Sequence, residues 1–288
     1  MEHIWKRKGG RKVLDYKVVE NVPFLSFPVL EDTGLVTQGF STKYGGVSQG
    51  KFATMNFTFT RGDDPGHVME NYRRMGKALG VEPERMVLSY QTHTTNVRKV
   101  TEEDAGKGVV KERDYKDVDG LITDVLGITL VTFYADCVPL YFLDPVHKAI
   151  GLSHSGWRGT VRRMGEVTVK KMGEEYGTRP EDLIACIGPS ICGDCYEVGG
   201  EVAEEFMNAF DRRHWGDILI PKENGKYLLD LWRANELVLA EAGVRREKLK
   251  VTDICTRCNS DHLFSHRTTG NERGNLAAFM GLKDSFRR

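Results

Sequence analysis

The sequence predicts an α+β protein built on mixed sheets, and three observations carry that expectation. Strand and helix patterns follow one another without regular alternation, which disfavours a doubly wound parallel sheet. The central third has the steadiest strand signal, with apolar runs at residues 128 to 134, 140 to 143 and 149 to 153, short enough to be buried strands rather than helices. Helical patterns are separate stretches that stop at glycines. At 288 residues the chain is long enough to bury a substantial core. It shows no repeat, low-complexity tract or long linker, so residues 1–288 read as one domain.

Taken in order, residues 1 to 40 alternate apolar and polar positions in patches such as Val18, Phe24, Phe27 and Val29, the pattern of short strands. Gly45-Gly46 marks a tight turn. From residue 67 to 79, Val68, Tyr72, Met75 and Leu79 recur at helical spacing before Gly80, which predicts a helix with a glycine stop. Residues 87 to 90, 97 to 100 and 120 to 123 read as strands. A helix is expected over residues 161 to 176, where Met164, Val167, Thr168, Met172 and Tyr176 share a face and Gly177 supplies the stop. Residues 184 to 187 form a short strand, 201 to 210 and 230 to 242 two helices, 250 to 254 a late strand, and 276 to 282 pack the C-terminal part. Polar stretches at 101 to 117 and 221 to 226 read as surface loops.

Composition narrows the function classes. Hydrophobic residues at 40% and charged residues at 28% are the balance of a globular chain. Lys plus Arg equals Asp plus Glu at 41 each, so no global field favours nucleic acid or an anionic membrane. The opening residues Met1-Glu2-His3-Ile4-Trp5-Lys6 lack the apolar stretch of a signal peptide, and no segment approaches the roughly 20 apolar residues that span a bilayer. A cytoplasmic protein is expected. Six cysteines are too few for a disulfide scaffold in a chain this long and are expected as thiols or metal ligands.

The chemistry concentrates in short segments. Ala135-Asp136-Cys137-Val138-Pro139 and Ser153-His154-Ser155-Gly156-Trp157-Arg158-Gly159 place a cysteine and a histidine where apolar runs stop, at the ends of buried strands. A cysteine alone is most often a packing residue, and a loop histidine such as His93 in Tyr90-Gln91-Thr92-His93-Thr94 is usually solvated. Together, His93, Cys137 and His154 offer one thiolate and two imidazoles, a trio suited to zinc with a fourth position open. The glycines around Trp157-Arg158 favour that reading, because they shape backbone for a close approach. Asp136 reads either as a residue orienting a ligand histidine or nearby backbone group, or as a turn residue. Lys43, in Ser41-Thr42-Lys43-Tyr44-Gly45-Gly46-Val47-Ser48, sits in a loop that matches no phosphate-loop spacing; it offers a cation and backbone N–H groups to an anion, or forms an ordinary hairpin turn.

A rival metal pattern is Cys192-x-x-Cys195 with Cys255-x-x-Cys258. The pairs lie far beyond the roughly 15 to 20 residues usual between such pairs, so they are expected not to form a zinc site needed for folding. His266 lies in a polar cluster that could line the same cleft as the trio. His3, His67, His147, His214 and His262 have no comparable setting.

Taken together, these segments resemble the YfiH-like family, also called the laccase-domain or polyphenol-oxidase-like family and treated as zinc-dependent purine nucleoside phosphorylases. The resemblance runs from the Lys43 segment through Gly62-Asp63-Asp64, Glu70-Asn71, Gln91-Thr92-His93, Asp119-Gly120-Leu121-Ile122-Thr123 and the Cys137 and His154 segments. It continues to Gly188-Pro189-Ser190-Ile191, Cys195-Tyr196-Glu197-Val198 and Phe264-Ser265-His266-Arg267. The chain departs from the common pattern at Lys43, where arginine is frequent, at Ser155 and around His93. The resemblance implies a four-layer α/β/β/α fold, two facing mixed sheets with helices outside, and metal ligands at His93, Cys137 and His154.

It also implies one zinc ion per chain, with copper as an adventitious occupant. The implied activity is phosphorolysis of adenosine, inosine or methylthioadenosine to base and pentose 1-phosphate, with deamination of adenosine alongside. A metal at the trio would lower the pKa of a bound water for deamination, and Lys43, Arg158 and Arg267 are candidates to cradle phosphate. The partners are then a purine nucleoside and phosphate, with no nucleic acid and no membrane; the oligomeric state stays open. Copper polyphenol oxidation is disfavoured, because multi-copper sites draw on His-x-His pairs and the eight histidines here include none. Two alternatives stand beside it: a peptidoglycan-editing amide hydrolase, and a non-catalytic zinc protein whose trio is closed by His266 or Cys192.

Overall fold

The computed structural model describes residues 5–10 and 12–284; of the opening residues weighed as a leader, the first four, His3 among them, lie outside the described residues. Two six-stranded sheets form the centre. The first runs β1 (Asp15–Val19), β2 (Val22–Ser26), β3 (Val36–Ser41), β15 (Leu276–Leu282), β7 (Thr129–Tyr134), β4 (Met86–Leu88). The second runs β14 (Leu249–Val251), β10 (Ile184–Ile187), β8 (Val138–Asp144), β9 (Ala149–Ser155), β6 (Gly120–Thr123), β5 (Val97–Lys99). Both are mixed: β4 pairs parallel with β7, β5 with β6, and β10 with β14, while the other pairs are antiparallel. A small third sheet joins β11 (Glu197–Val198), β13 (Tyr227–Leu229) and β12 (Leu219–Pro221).

The helices are α1 (Pro28–Glu31), α2 (Pro65–Leu79), α3 (Trp157–Val161), α4 (Met164–Tyr176), α5 (Gly200–Ala209), α6 (Trp215–Ile218), α7 (Leu231–Glu241) and α8 (His266–Thr269). Strand alternation sorts the core into layers. Along β8, Val138, Leu140 and Phe142 join the cluster under α4 and α7, whereas Tyr141 and Leu143 face the other sheet, the period of two expected of a strand. Tyr141 and Leu143 meet Leu25, Phe40, Leu130 and Met280 of the first sheet in the central layer. On the far side, Val68, Tyr72 and Met75 of α2 cover Phe24, Val131 and Phe279. The order is helix, sheet, sheet, helix, as the family resemblance implied.

Local signals explain several boundaries. Helix α2 begins at Pro65 because the Asp64 carboxylate accepts the Gly66 and His67 N–H groups, and it ends at Gly80 in the left-handed region. The single helix expected over 161 to 176 is instead α3 and α4, divided at Arg163, whose φ is 60°; no glycine or proline announces that break. Gly45-Gly46 lies in an irregular loop after β3 rather than a hairpin, where a Cβ on Gly46 would stand 2.1 Å from the Thr54 carbonyl. Strands β11 to β13 are too short for periodicity to register. No helix among the described residues is long and apolar enough to cross a membrane.

Candidate metal centre

Two of the three trio residues lie where the chain passes from one sheet to the other. His93 sits on the connection from β4 to β5, Cys137 on the turn from β7 to β8, and His154 within β9. Their ligand atoms all lie within 4.8 Å of one another. Cys137 Sγ stands 4.0 Å from His93 Nε2, and the two imidazoles meet edge to face at 5.0 Å. His154 is buried, Cys137 half-buried and His93 exposed. Gly156 makes this approach possible, since a Cβ there would lie 3.0 Å from both Cys137 Sγ and His93 Cδ2.

Asp119 organises the histidines, and no role was assigned to it from the sequence. Strand β6 pairs with β9 so that Gly120 faces Ser153, which sets Asp119 beside His154. Asp119 Oδ1 is 2.8 Å from His154 Nδ1 and accepts the His93 N–H at 3.0 Å. Oδ2 accepts the Thr92 and Thr94 N–H groups. A carboxylate on Nδ1 fixes the tautomer that leaves Nε2 free to bind a metal. The three converging N–H bonds hold His93 at a φ of 64°, in the left-handed region that few side chains adopt without support. The signal that could have found Asp119 is an acid immediately before the fully buried strand β6.

Electrostatics suit a metal. Burial alone would raise the Cys137 thiol, but His154 and His93 outweigh it and hold the thiol down to about 6. Burial likewise opposes charge on His154, and the Cys137 sulfur with Asp119 lifts it to about 9. The thiolate is the binding form of the cysteine, whereas the proton held on His154 must be shed before its imidazole binds a metal. The donors face a cavity of about 410 Å³ that also carries Arg61, Arg113, Arg273, Tyr90 and Phe133. A larger cavity of about 540 Å³ lies beside Cys192, but it holds none of the trio.

Asp136 makes no hydrogen bond to either histidine of the trio. At a φ of 97°, it accepts the Thr256 hydroxyl and the Arg267 N–H, both at 2.6 Å, so it braces a backbone group. Histidine orientation belongs to Asp119. The three cations read as a phosphate cradle are not on the cavity wall. The Lys43 ammonium donates to the Ser260 carbonyl at 2.9 Å and lies over Phe264; Arg158 stacks on Trp157 and Arg267 on Tyr196. The wall carries Arg61 and Arg273 instead. Burial and then the Arg61 charge pull the Arg273 guanidinium down to about 10, and its Nε is buried without a partner. Neither proposed fourth ligand closes the trio: His266 is exposed with Nδ1 3.0 Å from the Gly270 carbonyl, and Cys192 belongs to another group.

That other group corrects the reasoning from spacing. Cys192, Cys195, Cys255 and Cys258 also bring their sulfurs within 4.8 Å of one another. Sequence distance misleads here because β10 and β14 pair in parallel, Ile187 opposite Val251, so the segments leaving both strands run side by side. Ser190 and Cys255 continue the parallel pairing as an isolated bridge.

A four-layer fold with a His2Cys donor set open to a cation-walled cavity at the seam of its sheets has the build of a metalloenzyme. A family model described as "Multi-copper polyphenol oxidoreductase laccase" matches residues 37–283, and the chain belongs to that family. It is 36% identical over 256 residues to the purine nucleoside phosphorylase YlmD of Bacillus subtilis, covering 87% of this chain and 90% of the relative. It is 34% identical over 240 residues to adenosine deaminase RL5 of an unknown prokaryotic organism, covering 82% and 90%. The crystal structure of the hypothetical protein YfiH from Bacillus licheniformis superimposes with a TM-score of 0.86 at 32% identity, covering 90% of this chain and 96% of that one. These relatives make the family one of enzymes and agree with the YfiH-like resemblance of the motifs.

Proposed function

We propose that this chain is a purine nucleoside phosphorylase that holds one catalytic zinc ion at His93, Cys137 and His154 and also deaminates adenosine. The observation that carries the reading is a shared wall: the three donor residues line the same cavity as Arg61, Arg113 and Arg273. A His2Cys set suits zinc, and copper, which binds such ligands more tightly, is an adventitious occupant. When bound, the ion supplies Lewis acidity that lowers the pKa of a coordinated water.

The chain's own groups do the rest. Asp119 keeps His154 Nε2 and the His93 loop aimed at the cavity. Arg61 and Arg273 bind phosphate, because an anion between two mutually repelling guanidiniums relieves their conflict and forms charge-assisted hydrogen bonds. Phe133 and Tyr90 offer the purine aromatic faces. The relative named as an adenosine deaminase supports the second activity. Oxidation by several coppers gains no support from a chain without a His-x-His pair. Six cysteines, none of them in a disulfide, suit work in the reducing cytoplasm.

The test incubates metal-replete protein with inosine and with adenosine, with and without phosphate, and separates the products by chromatography. Inosine should release base only when phosphate is present, and adenosine should yield inosine in either case. Failure of inosine to release base with phosphate present overturns the phosphorylase reading.

A further inference from the structure

The four-cysteine group lies outside the reaction centre proposed above. Two of its members leave β10 and two leave β14. The sulfurs of Cys195 and Cys258 are 3.4 Å apart, and no ligand atom of the set is more than 4.8 Å from another. A tetrahedral ion with bonds of about 2.3 Å to sulfur needs ligand sulfurs about 3.8 Å apart, which these separations bracket. An iron–sulfur cluster holds its ligands on different metal atoms and needs them spread more widely.

Backbone donors already point at sulfur: the Cys192 and Cys258 N–H groups donate to Cys255 Sγ at 3.3 and 3.4 Å. Such bonds stabilise a thiolate, the form that binds metal. Cys192 and Cys255 are buried, where four uncoordinated thiols would gain little from such dense clustering.

The segments the cysteines would tie together are those that support the trio. Ile191, next to Cys192, donates its N–H to the Asp136 carbonyl at 3.0 Å. Thr256, next to Cys255, donates its hydroxyl to the Asp136 carboxylate and its N–H to the Ser190 carbonyl at 3.1 Å. Asp136 directly precedes Cys137. Farther along, the Ser260 and His262 carbonyls accept from Lys43. We propose that Cys192, Cys195, Cys255 and Cys258 bind a single tetrahedral zinc ion, and that this ion fixes the paired segments bracing Asp136 and, through it, the position of Cys137.

Binding at the four cysteines does not depend on the trio being a reaction centre, so the test separates them. Full-length protein purified from zinc-supplemented cells should carry about two zinc ions per chain, one for each donor set. Cys137→Ser should retain about one, and cobalt loaded into that variant should give intense sulfur-to-metal charge transfer with the visible bands of a tetrahedral tetrathiolate. A Cys137→Ser protein that holds no metal and shows no such bands overturns the site, and so does a Cys195–Cys258 disulfide found in wild-type protein by mass spectrometry. Because Cys137→Ser leaves all four cysteines intact, this outcome does not depend on a damaged site folding. The positioning role is read in Cys258→Ser as trio zinc affinity by chelator competition, with Asp136→Asn for comparison. Each should weaken it about tenfold, the lower end for lost outer-shell support. Unchanged affinity in a folded Cys258→Ser protein overturns the positioning.

Discussion

At the scale of single residues, one carboxylate serves both histidines of the trio. Asp119 bonds to His154 Nδ1 and to three successive N–H groups around His93, so it sets a ring and a loop together. Zinc binding at the trio should be abolished in His93→Ala, Cys137→Ala and His154→Ala, and weakened about 10- to 100-fold in Asp119→Asn, measured by chelator competition. Full trio occupancy in all three alanine variants would remove the ligand assignment. Affinity should also fall on acidification, since thiolate and imidazole must shed protons to bind. For the cations, Arg61→Ala and Arg273→Ala should each slow phosphorolysis about ten- to a hundredfold, the equivalent of about 1.5 to 3 kcal/mol for a hydrogen bond to a charged group, and leave deamination much less affected. If Lys43→Ala, Arg158→Ala or Arg267→Ala shows that selective loss instead, the phosphate lies at the sequence-derived cradle.

At the scale of elements, the start of the segment from residue 101 to 117 is held by a buried acid. Asp104 is 2% exposed and accepts from the Thr101 N–H, Arg98 and Lys107 at 2.8 to 2.9 Å. Burial would raise its carboxyl, but Lys107, the Thr101 amide and Arg98 outweigh burial and hold it at about 2, below the ordinary 3.8. A pKa depressed in the folded state means the stabilisation is complete above about pH 4 and fades as pH falls toward 2, an effect of about 2 kcal/mol. Chemical denaturation should therefore separate wild type from Asp104→Asn at neutral pH, and the gap should close in acid. A gap constant down to pH about 2 would show that the carboxylate's charge is not its source.

Elements were legible where they were long or doubly buried. Strand β10 matches its apolar run, and α2 announces itself by cap and stop. The break at Arg163 and the two- and three-residue strands of the third sheet were not, because tertiary contacts define them. The same distinction holds for the site. Cys137 and His154 stand where apolar runs end, a local pattern. Asp119 gains its role only when β6 lies against β9, and the cysteine group only when β10 lies against β14, and neither pairing is written in nearby residues.

At the scale of the molecule, the two sheets share one central layer and should unfold together. Ile150, fully buried in that layer, has no room to be replaced without a cavity. Ile150→Ala should cost about 2 to 5 kcal/mol and shift a single cooperative transition, read by near-ultraviolet dichroism. An unchanged midpoint would show that the layer is not under common tension. The order of strands has a further consequence for how the chain is made. Strand β15, seven buried residues long, lies between β3 and β7 in the middle of the first sheet, yet it is made after every other described strand of the two sheets. Strands β3 and β7 do not pair with each other; each bonds to β15 on its inner side, so the middle of the sheet needs this strand. The turn that carries Cys137 begins where β7 ends, so the nascent protein has every donor of the trio long before it has a finished wall to mount them on. Of the strands that make up the two sheets, the one latest in the chain is therefore the one that completes the sheet behind the site.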